Sequence, residues 1–88
     1  MVKWRVVLSW QAGKDAKRLS RAGLKSPAEK LLLLLQNDPL GVPPRFEKLV
    51  GNLAGYYSRR INIQHSMIYR IDSDQRVVHV LRMWTHYE

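Results

Sequence analysis

The chain has 88 residues, the size of one small domain with a thin hydrophobic core, and we expect a single domain over residues 1–88. It contains no cysteine, which excludes disulfide scaffolds, thiolate zinc sites and cysteine nucleophiles. A net charge of +8 favours nucleic acid, an anionic membrane surface or an acidic protein as partner. The longest apolar run, residues 31–35, is too short to cross a bilayer, and the N-terminus lacks the pattern of a signal peptide. We therefore expect a cytoplasmic basic protein that does not enter a membrane.

The chain begins with a predicted strand followed by a predicted helix. The strand covers residues 2–8, where β-branched and aromatic residues are mixed with charges. Its apolar face is formed by Val2, Trp4 and Val6. Ser9 is predicted to cap a helix over residues 10–21, and Gly23 is predicted to end it. One side of this helix carries Trp10, Ala12, Ala16 and Leu19.

A second helix is predicted from its start and stop signals. Ser26 as N-cap, Pro27 at the first helical position and Glu29 at the third form a capping box. The sequence Asn-Asp-Pro at residues 37–39 ends the helix. The leucines of residues 31–35 cover every face of the helix, so the segment is either buried on most sides or exposes apolar surface for a partner.

The remaining chain is predicted to be a loop followed by strands. Residues 38–45 contain three of the four prolines. Strands over residues 56–63, 66–72 and 76–84, with a hairpin connection at residues 72–75, form an antiparallel meander. The order of elements predicts an α+β fold, in which two N-terminal helices pack on one face of a twisted, mainly antiparallel sheet of four to five strands.

Arginines occur on successive predicted strands. Alternation along the first strand of the meander places one set of side chains on the core side, namely Tyr57, Arg59, Ile61 and Ile63. Arg60 then projects from the open face, and Arg82 lies on a neighbouring strand. A guanidinium group is a planar, permanently charged donor that suits a phosphate. The alternative is a solvated sheet face whose charges serve only solubility.

Four other polar residues are chemically informative. His86 could transfer protons near neutral pH, and Tyr87 could donate to a phosphoryl oxygen or stack on a base. The alternative for both is a frayed C-terminal tail. Glu47 is a candidate general base or an inert surface carboxylate, and His65 is predicted to be a turn residue.

Four stretches in the second part of the chain form a recognisable series: FEKL at 46–49, NLAGYYSRRI at 52–61, QHSMIYRI at 64–71 and HY at 86–87. The series resembles the Txe/YoeB branch of the RelE/ParE toxin superfamily. The pattern of that branch reads roughly E-x-L, N-L-x-G plus two aromatics and S-R-R-I, [DE]-H-R-x-V-Y and a terminal H-Y. A preceding helix ending in N-D-P and the chain length also fit.

The resemblance implies a toxin of a type II toxin–antitoxin pair with a small microbial-RNase-like fold. Such toxins are endoribonucleases that cleave messenger RNA, typically in the ribosomal A site, without a metal or other cofactor. The 2′-hydroxyl attacks the adjacent phosphate and leaves a 2′,3′-cyclic phosphate and a 5′-hydroxyl end. The expected partners are an acidic antitoxin encoded nearby, messenger RNA with the ribosome, and a second copy of the chain as a homodimer.

Individual roles follow from the same resemblance. Glu47 would be the general base, His86 the acid for the leaving 5′-oxygen, and Tyr87 a group that holds the phosphate or stacks on a base. Arg60 completes the expected catalytic set. The expected RNA and phosphate ligands are Lys48, Arg59, Arg70 and Arg82.

The sequence departs from the family pattern at Ser66, which stands where the family has an active-site arginine. Loss of that positive charge would cost on the order of 10²–10³-fold in rate unless another cation replaces it. Arg60, Arg70 or Arg82 could do so, and pleat parity along its own strand makes Arg70 the nearest candidate. Lys48 also replaces the proline that usually follows the loop glutamate.

Two other functions stay open at this point. A ParE-like toxin would bind a protein target such as gyrase, although such relatives generally lack the terminal H-Y. A catalytically weakened relative would bind RNA or antitoxin without cleaving, and Ser66 is the main argument for it.

Overall fold

The computed structural model describes residues 3–84, in which one strand is followed by two helices and then by four strands. In chain order they are β1 (Arg5–Leu8), α1 (Trp10–Arg21), α2 (Lys25–Asn37), β2 (Phe46–Lys48), a 3₁₀ turn (Gly51–Leu53), β3 (Tyr57–Arg60), β4 (Ser66–Asp72) and β5 (Val77–Arg82). The sheet order is β1-β5-β4-β3-β2, with β1 parallel to β5 and the other neighbours antiparallel. The predicted α+β architecture is therefore confirmed, with five strands.

Helix α1 begins at the predicted cap. The Ser9 hydroxyl accepts a hydrogen bond from the Ala12 amide at 2.9 Å and donates to the Leu81 carbonyl of β5 at 2.8 Å, so it also ties the helix to the sheet. The prediction that Trp10 belongs to the apolar side is wrong, because its side chain is 77% exposed. Two residues correspond to about 200° around a helix, so Trp10 points away from the buried Ala12.

Helix α2 begins earlier than predicted, and the capping box is wrong. Its first residue is Lys25, and Leu24 is the N-cap without a side-chain hydrogen bond. The Leu24 amide donates to the Leu19 carbonyl at 2.8 Å, and the Leu24 carbonyl accepts from the Ala28 amide at 3.2 Å. The tight link between the helices therefore sets the start of α2, and Ser26 falls inside its first turn.

The leucine run of α2 is divided between core and solvent. Leu31 and Leu35, one helical turn apart, are buried, whereas Leu33 is exposed. The core interpretation is thus confirmed for part of the run. The core itself lies between the two helices and one face of the sheet. Its largest fully buried members are Leu19, Leu35, Met67, Tyr69, Val78, Val80 and Met83. The opposite sheet face carries no helix within residues 3–84, and no described helix is long and apolar enough to cross a membrane.

Strands β3 and β5 are shorter than predicted. Residues 61–65 form a turn, in which the amides of Ile61 and Asn62 donate to the His65 carbonyl and the His65 amide donates to Asn62 Oδ1. His65 is thus the predicted turn residue. Ile63 was expected on the core side, but β3 ends at Arg60 and the Ile63 side chain is 82% exposed.

Arg59 is buried in the core side of β3, with only 1% of its surface exposed. Its Nε donates to the Tyr69 hydroxyl at 2.7 Å, Nη2 donates to the Pro39 carbonyl at 2.9 Å, and Nη1 donates to the Pro44 carbonyl. Burial raises the pKa of Tyr69 even though the bond from Arg59 lowers it. The predicted role of Arg59 as an RNA or phosphate ligand is therefore corrected: this guanidinium fastens the proline-rich loop to the sheet.

Replacing Arg59 with methionine should destabilise the fold. The change leaves two carbonyls and a buried hydroxyl without their donor, and each unsatisfied group costs about 1–3 kcal/mol. A total loss of about 3 kcal/mol corresponds to a fall of roughly 12–24 °C in Tm for a domain of this size. Thermal unfolding followed by circular dichroism measures it. Arg60→Met, an exposed neighbour, is the matched control and should shift Tm by no more than about 3 °C.

Candidate active site on the open sheet face

Strand β2 directs Glu47 onto the open face. The preceding Phe46 points to the core side, where its ring meets Tyr57 edge-on with centroids 5.5 Å apart. Because neighbouring side chains on a strand point to opposite faces, Glu47 lies on the face opposite the helices. It pairs in register with Ser58 of β3, and its side chain is exposed.

Arg60 shares this face and lies directly across from Ser66, where the resemblance leads us to expect an arginine. It is paired in register with Ser66, the first residue of β4. Directly opposed residues have Cβ atoms about 4.5–5.5 Å apart, whereas Arg70 lies four residues along β4, about 13 Å away. Arg70 instead pairs with His79. The expectation that Arg70 is nearest to Ser66 is wrong, because cross-strand pairing brings Arg60 closer.

We call the group of Glu47, Ser58, Arg60 and Ser66 the β2–β4 corner. Glu47 and Arg60 are diagonal neighbours across β2 and β3, which corresponds to a separation of about 7–8 Å. Both are exposed, while the two serines are buried. Within residues 3–84 the one ion pair lies elsewhere, between Arg82 and Asp15, so neither charge of the corner is neutralised by a described side chain. The corner can therefore present a base and a cation to the same bound group.

Two predicted phosphate ligands lie away from the corner. Lys48 is exposed, but it shares the orientation of Phe46 and pairs with Tyr57, on the other face from Glu47. Arg82 was expected on the exposed sheet face. Its Nε instead donates to Asp15 Oδ2 at 2.8 Å and its Nη2 donates to the Trp84 carbonyl at 3.2 Å. The expected placement of Arg82 is therefore wrong, since its guanidinium joins β5 to helix α1, while its role as a phosphate ligand stays a prediction.

Asp15 is a buried carboxylate that the sequence reasoning missed. Its Oδ2 accepts from Arg82 Nε, from the Met83 amide at 3.0 Å and from the Trp84 amide at 3.2 Å, and its Oδ1 accepts from Gln11 at 3.2 Å. Burial alone would raise its pKa, but these hydrogen bonds outweigh burial and hold the pKa of Asp15 below its usual value. The helical spacing could have indicated that Asp15 is buried, because it lies three residues after Ala12 in the buried stripe of α1.

Trp84 is the last described residue, and it packs against the core on the helix side of the sheet. Its ring stacks on the His65 ring with centroids 3.9 Å apart, and the Arg18 guanidinium carbon lies 4.4 Å from its centroid. The stack therefore joins the turn before β4 to helix α1, on the face opposite the corner. The predicted catalytic residues His86 and Tyr87 lie outside the described residues.

The fold matches that of bacterial toxins of the YoeB/RelE-like class. Similar solved structures are a YoeB/ParE toxin from Agrobacterium tumefaciens (TM-score 0.84, 26% identity, 94% of this chain and 99% of that chain) and a YoeB dimer from Staphylococcus aureus (TM-score 0.80, 31% identity, 97% and 99%).

Sequence comparison narrows this class to a family. A family model described as "YoeB-like toxin of bacterial type II toxin-antitoxin system" matches residues 3–87. Toxin RelK of Mycobacterium tuberculosis is 35% identical over 86 residues, which cover 96% of this chain and 88% of that protein. The chain belongs to the YoeB-like toxin family of bacterial type II toxin–antitoxin systems.

Proposed function

We propose that this toxin is an endoribonuclease that cuts messenger RNA on the ribosome, in the cytoplasm and without a metal ion. The observation that carries the proposal is the β2–β4 corner. It holds the exposed carboxylate of Glu47 diagonally across from the exposed guanidinium of Arg60. Arg60 Nη1 donates to the Ile63 carbonyl at 3.3 Å, but neither group is in an ion pair with a side chain of residues 3–84. A separation of about 7–8 Å leaves room for a phosphodiester and its 2′-hydroxyl between the two groups.

The proposed reaction is an internal phosphoryl transfer. Glu47 takes the proton of the 2′-hydroxyl, whose oxygen bonds to the adjacent phosphorus. The bond from phosphorus to the 5′-oxygen breaks, and His86 donates a proton to that oxygen. The products are a 2′,3′-cyclic phosphate and a 5′-hydroxyl end. Arg60 stabilises the charge that builds on the phosphoryl oxygens, while Tyr87 holds the phosphate or stacks on a base.

The charge distribution supports an RNA substrate. The net charge of +8 gives a sequence-independent attraction to phosphates, and Arg70 is exposed on the same face as the corner. Because Arg70 lies on this face but away from the corner, we propose that it binds RNA phosphates other than the one at the cleaved bond. Lys48, at the sheet edge, is proposed to contact RNA that passes around β2.

We also propose an acidic antitoxin as partner. A solved relative from Staphylococcus aureus is a YoeB-YefM complex (31% identity, TM-score 0.77, 97% of this chain and 99% of that chain). Here α1 and α2 enclose an apolar groove of about 270 Å³, whose lining includes Ala16, Ala28, Leu32 and Met83 with Lys17 and Lys25. An amphipathic acidic segment suits such a surface. A homodimer is proposed from the YoeB dimer of the same organism.

The proposal is tested by mapping messenger RNA ends at codon resolution after a short pulse of expression, with plasmid supercoiling measured in the same cells. Cuts phased with codons, appearing before any change in supercoiling, are the expected result. The purified protein should cut the same messages with ribosomes and much more slowly without them. Intact messages together with lost negative supercoiling would instead indicate the ParE-like activity, and growth arrest with neither change would contradict both activities.

A further inference from the structure

An open groove of about 640 Å³ lies at the start of strand β1, between the end of helix α2 and the turn that joins β4 to β5. The Gln36 carbonyl of α2 accepts from the Lys3 amide at 3.1 Å and from the Trp4 amide at 2.9 Å. On the other side, the Arg5 amide donates to the Arg76 carbonyl at 3.0 Å. These backbone bonds join the three segments, so the fold itself fixes the walls of the groove.

The groove is lined by positive and neutral side chains. Its polar lining within the described part of the chain consists of three cations and two carboxamides, namely Lys3, Arg5, Arg76, Gln36 and Gln75, and the rest of that lining is apolar. We call it the basic groove. The three cations are exposed, and their side chains form no ion pair or hydrogen bond within residues 3–84. Such a surface attracts an anion that can accept hydrogen bonds from several donors.

Negative charge near the basic groove comes from the adjoining turn and from the end of α2. In the turn, Asp72 Oδ1 accepts from the Gln75 amide at 3.2 Å, and neither Asp72 nor Asp74 lines the groove. The C-terminal end of α2 carries a partial negative charge, but its Gln36 carbonyl already accepts from two amides. The three full positive charges therefore dominate the basic groove.

Arg76 occupies its position against the preference of the backbone. Its φ is 54°, in the left-handed region that glycine or asparagine usually supplies at a turn. It is the one non-glycine residue with positive φ in the part of the chain that the structure describes. Residues in such unfavourable conformations cluster where a ligand is bound. Glycine would suit the turn better, so the turn does not explain the arginine, whereas its side chain in the basic groove does.

We propose that the basic groove binds a backbone phosphate of single-stranded RNA, at a site separate from the β2–β4 corner. The identification of the ligand as RNA rests on the ribonuclease function proposed above. Two guanidinium groups and an ammonium group suit phosphate oxygens, and the two carboxamides can bind the hydroxyl of an attached ribose. The volume lies in the range of about 300–1,000 Å³ that is usual for ligands of several chemical groups, so it exceeds the need of a lone phosphate.

The basic groove and the corner lie near opposite ends of strand β4. Arg5 pairs with Val77 of β5, and Val77 pairs with Asp72, the last residue of β4. Ser66 of the corner is the first residue of this seven-residue strand, which corresponds to a separation of roughly 20 Å. One phosphate cannot contact both places, so the basic groove binds a different nucleotide from the one that is cut. It contributes to the affinity for RNA and not to the chemical step.

The test uses the intact protein and a short single-stranded RNA in which every ribose carries a 2′-O-methyl group. Such an RNA has no free 2′-hydroxyl, so binding is measured without cleavage. Affinity is followed by fluorescence anisotropy over a range of salt concentrations, and the bound surface by ¹H–¹⁵N amide shifts. Arg5→Gln and Arg76→Gly each remove one charge from the basic groove. Arg21→Gln, at the exposed end of α1, is the control with the same change in net charge.

Loss of one phosphate contact should weaken binding about fourfold at about 0.15 M salt and reduce the salt slope by about 0.7. The double variant Arg5→Gln/Arg76→Gly should bind about 15-fold more weakly, since the two losses add. Arg21→Gln should change the affinity less than about twofold. RNA should shift the amide signals of residues 4–6 and 75–77.

Two further readouts separate binding from folding and from chemistry. Arg76→Gly should keep Tm within about 3 °C of the wild type or raise it, because glycine adopts a positive φ readily. Weaker binding by this variant is therefore not a result of unfolding. In cleavage of an unmodified message, the double variant should raise KM and leave kcat within about threefold of the wild type.

Three outcomes would overturn the inference. If Arg21→Gln weakens binding as much as the groove variants do, the attraction is diffuse and no site exists. Shifts at residues 4–6 and 75–77 with inorganic pyrophosphate but not with RNA would assign the groove to a small phosphate compound. Shifts with a polyglutamate peptide alone would assign it to an acidic protein. Failure of the ribonuclease proposal looks different, because unmodified messages would then stay intact while the binding of methylated RNA still tests the groove.

Discussion

Changing Glu47 to glutamine or His86 to alanine is expected to reduce messenger RNA cleavage strongly and to relieve the growth arrest that follows expression. Glutamine keeps the shape of the Glu47 side chain but cannot take a proton from the 2′-hydroxyl. Alanine at position 86 removes the group that protonates the leaving 5′-oxygen. Each role in proton transfer contributes about 10²–10⁴-fold, so each single change should lower single-turnover cleavage by that factor.

The double variant should be little worse than the more damaged single variant, because a base and an acid that act in one step are strongly non-additive. Glu29→Gln, at an exposed glutamate of α2, is the matched control for the first change. His79→Ala, at a residue paired with Arg70 on β5, is the control for the second. Both controls should cleave within about threefold of wild type, since neither touches the β2–β4 corner. Full cleavage by a folded double variant would remove both residues from the mechanism.

The elements of the fold are largely readable from the sequence because their local signals agree with their tertiary contacts. The Ser9 cap is an example, since one hydroxyl both caps α1 and bonds to β5. The start of α2 was not readable in the same way. The Ser26 capping box is a strong local signal, yet the helix starts two residues earlier, where the Leu24 amide bonds to the Leu19 carbonyl. Tertiary geometry thus overrides local propensity where two helices are joined by a short link.

The candidate site was only partly readable, for a related reason. Alternation correctly separates Arg59 from Arg60, but it cannot tell that the buried Arg59 finds acceptors at Tyr69 and in the proline-rich loop. Such acceptors come from segments distant in sequence. Alternation along β4 likewise shows that Ser66 and Arg70 share a face of that strand. Only the register between β3 and β4 shows that Arg60 lies directly opposite Ser66.

Asp15 is a clearer example of a contact between distant segments that the sequence does not predict. Helical spacing places Asp15 on the buried stripe of α1. A charged residue is rarely buried without a partner, so its burial cannot be predicted until its partners are known. Those partners are the amides and the guanidinium at the end of β5. No pattern within α1 points to them, since the contact depends on how the helix crosses the sheet.

Arg60 is expected to carry the positive charge that the family places at position 66. Arg60 and Ser66 are directly opposed on the open face, so a guanidinium on β3 can reach the space that an arginine on β4 would occupy. Arg60→Ala should therefore lower kcat by about 10²–10³-fold, the usual effect of removing one stabilising group from a charged transition state. Because Arg60 is exposed, Tm should change by no more than about 3 °C.

Arg70→Ala is the matched control, since it removes an exposed arginine from the same face about 13 Å along β4. It should weaken RNA binding uniformly and reduce the salt dependence of binding by about one ion, with little change in kcat. A larger loss of kcat from Arg70→Ala than from Arg60→Ala would assign the compensating charge to Arg70.

The most direct test of this role moves the guanidinium from position 60 on β3 to position 66 on β4. In Arg60→Ala/Ser66→Arg the net charge is unchanged, and the space vacated by the Arg60 side chain accommodates the new one. This double variant should recover cleavage to within about tenfold of wild type, because the guanidinium again faces the phosphate from the same corner. Ser66→Arg alone should gain little, since like charges directly opposed on neighbouring strands repel each other. A large gain in cleavage from Ser66→Arg alone would mean that Arg60 does not replace the missing arginine and that the natural chain is a weakened toxin.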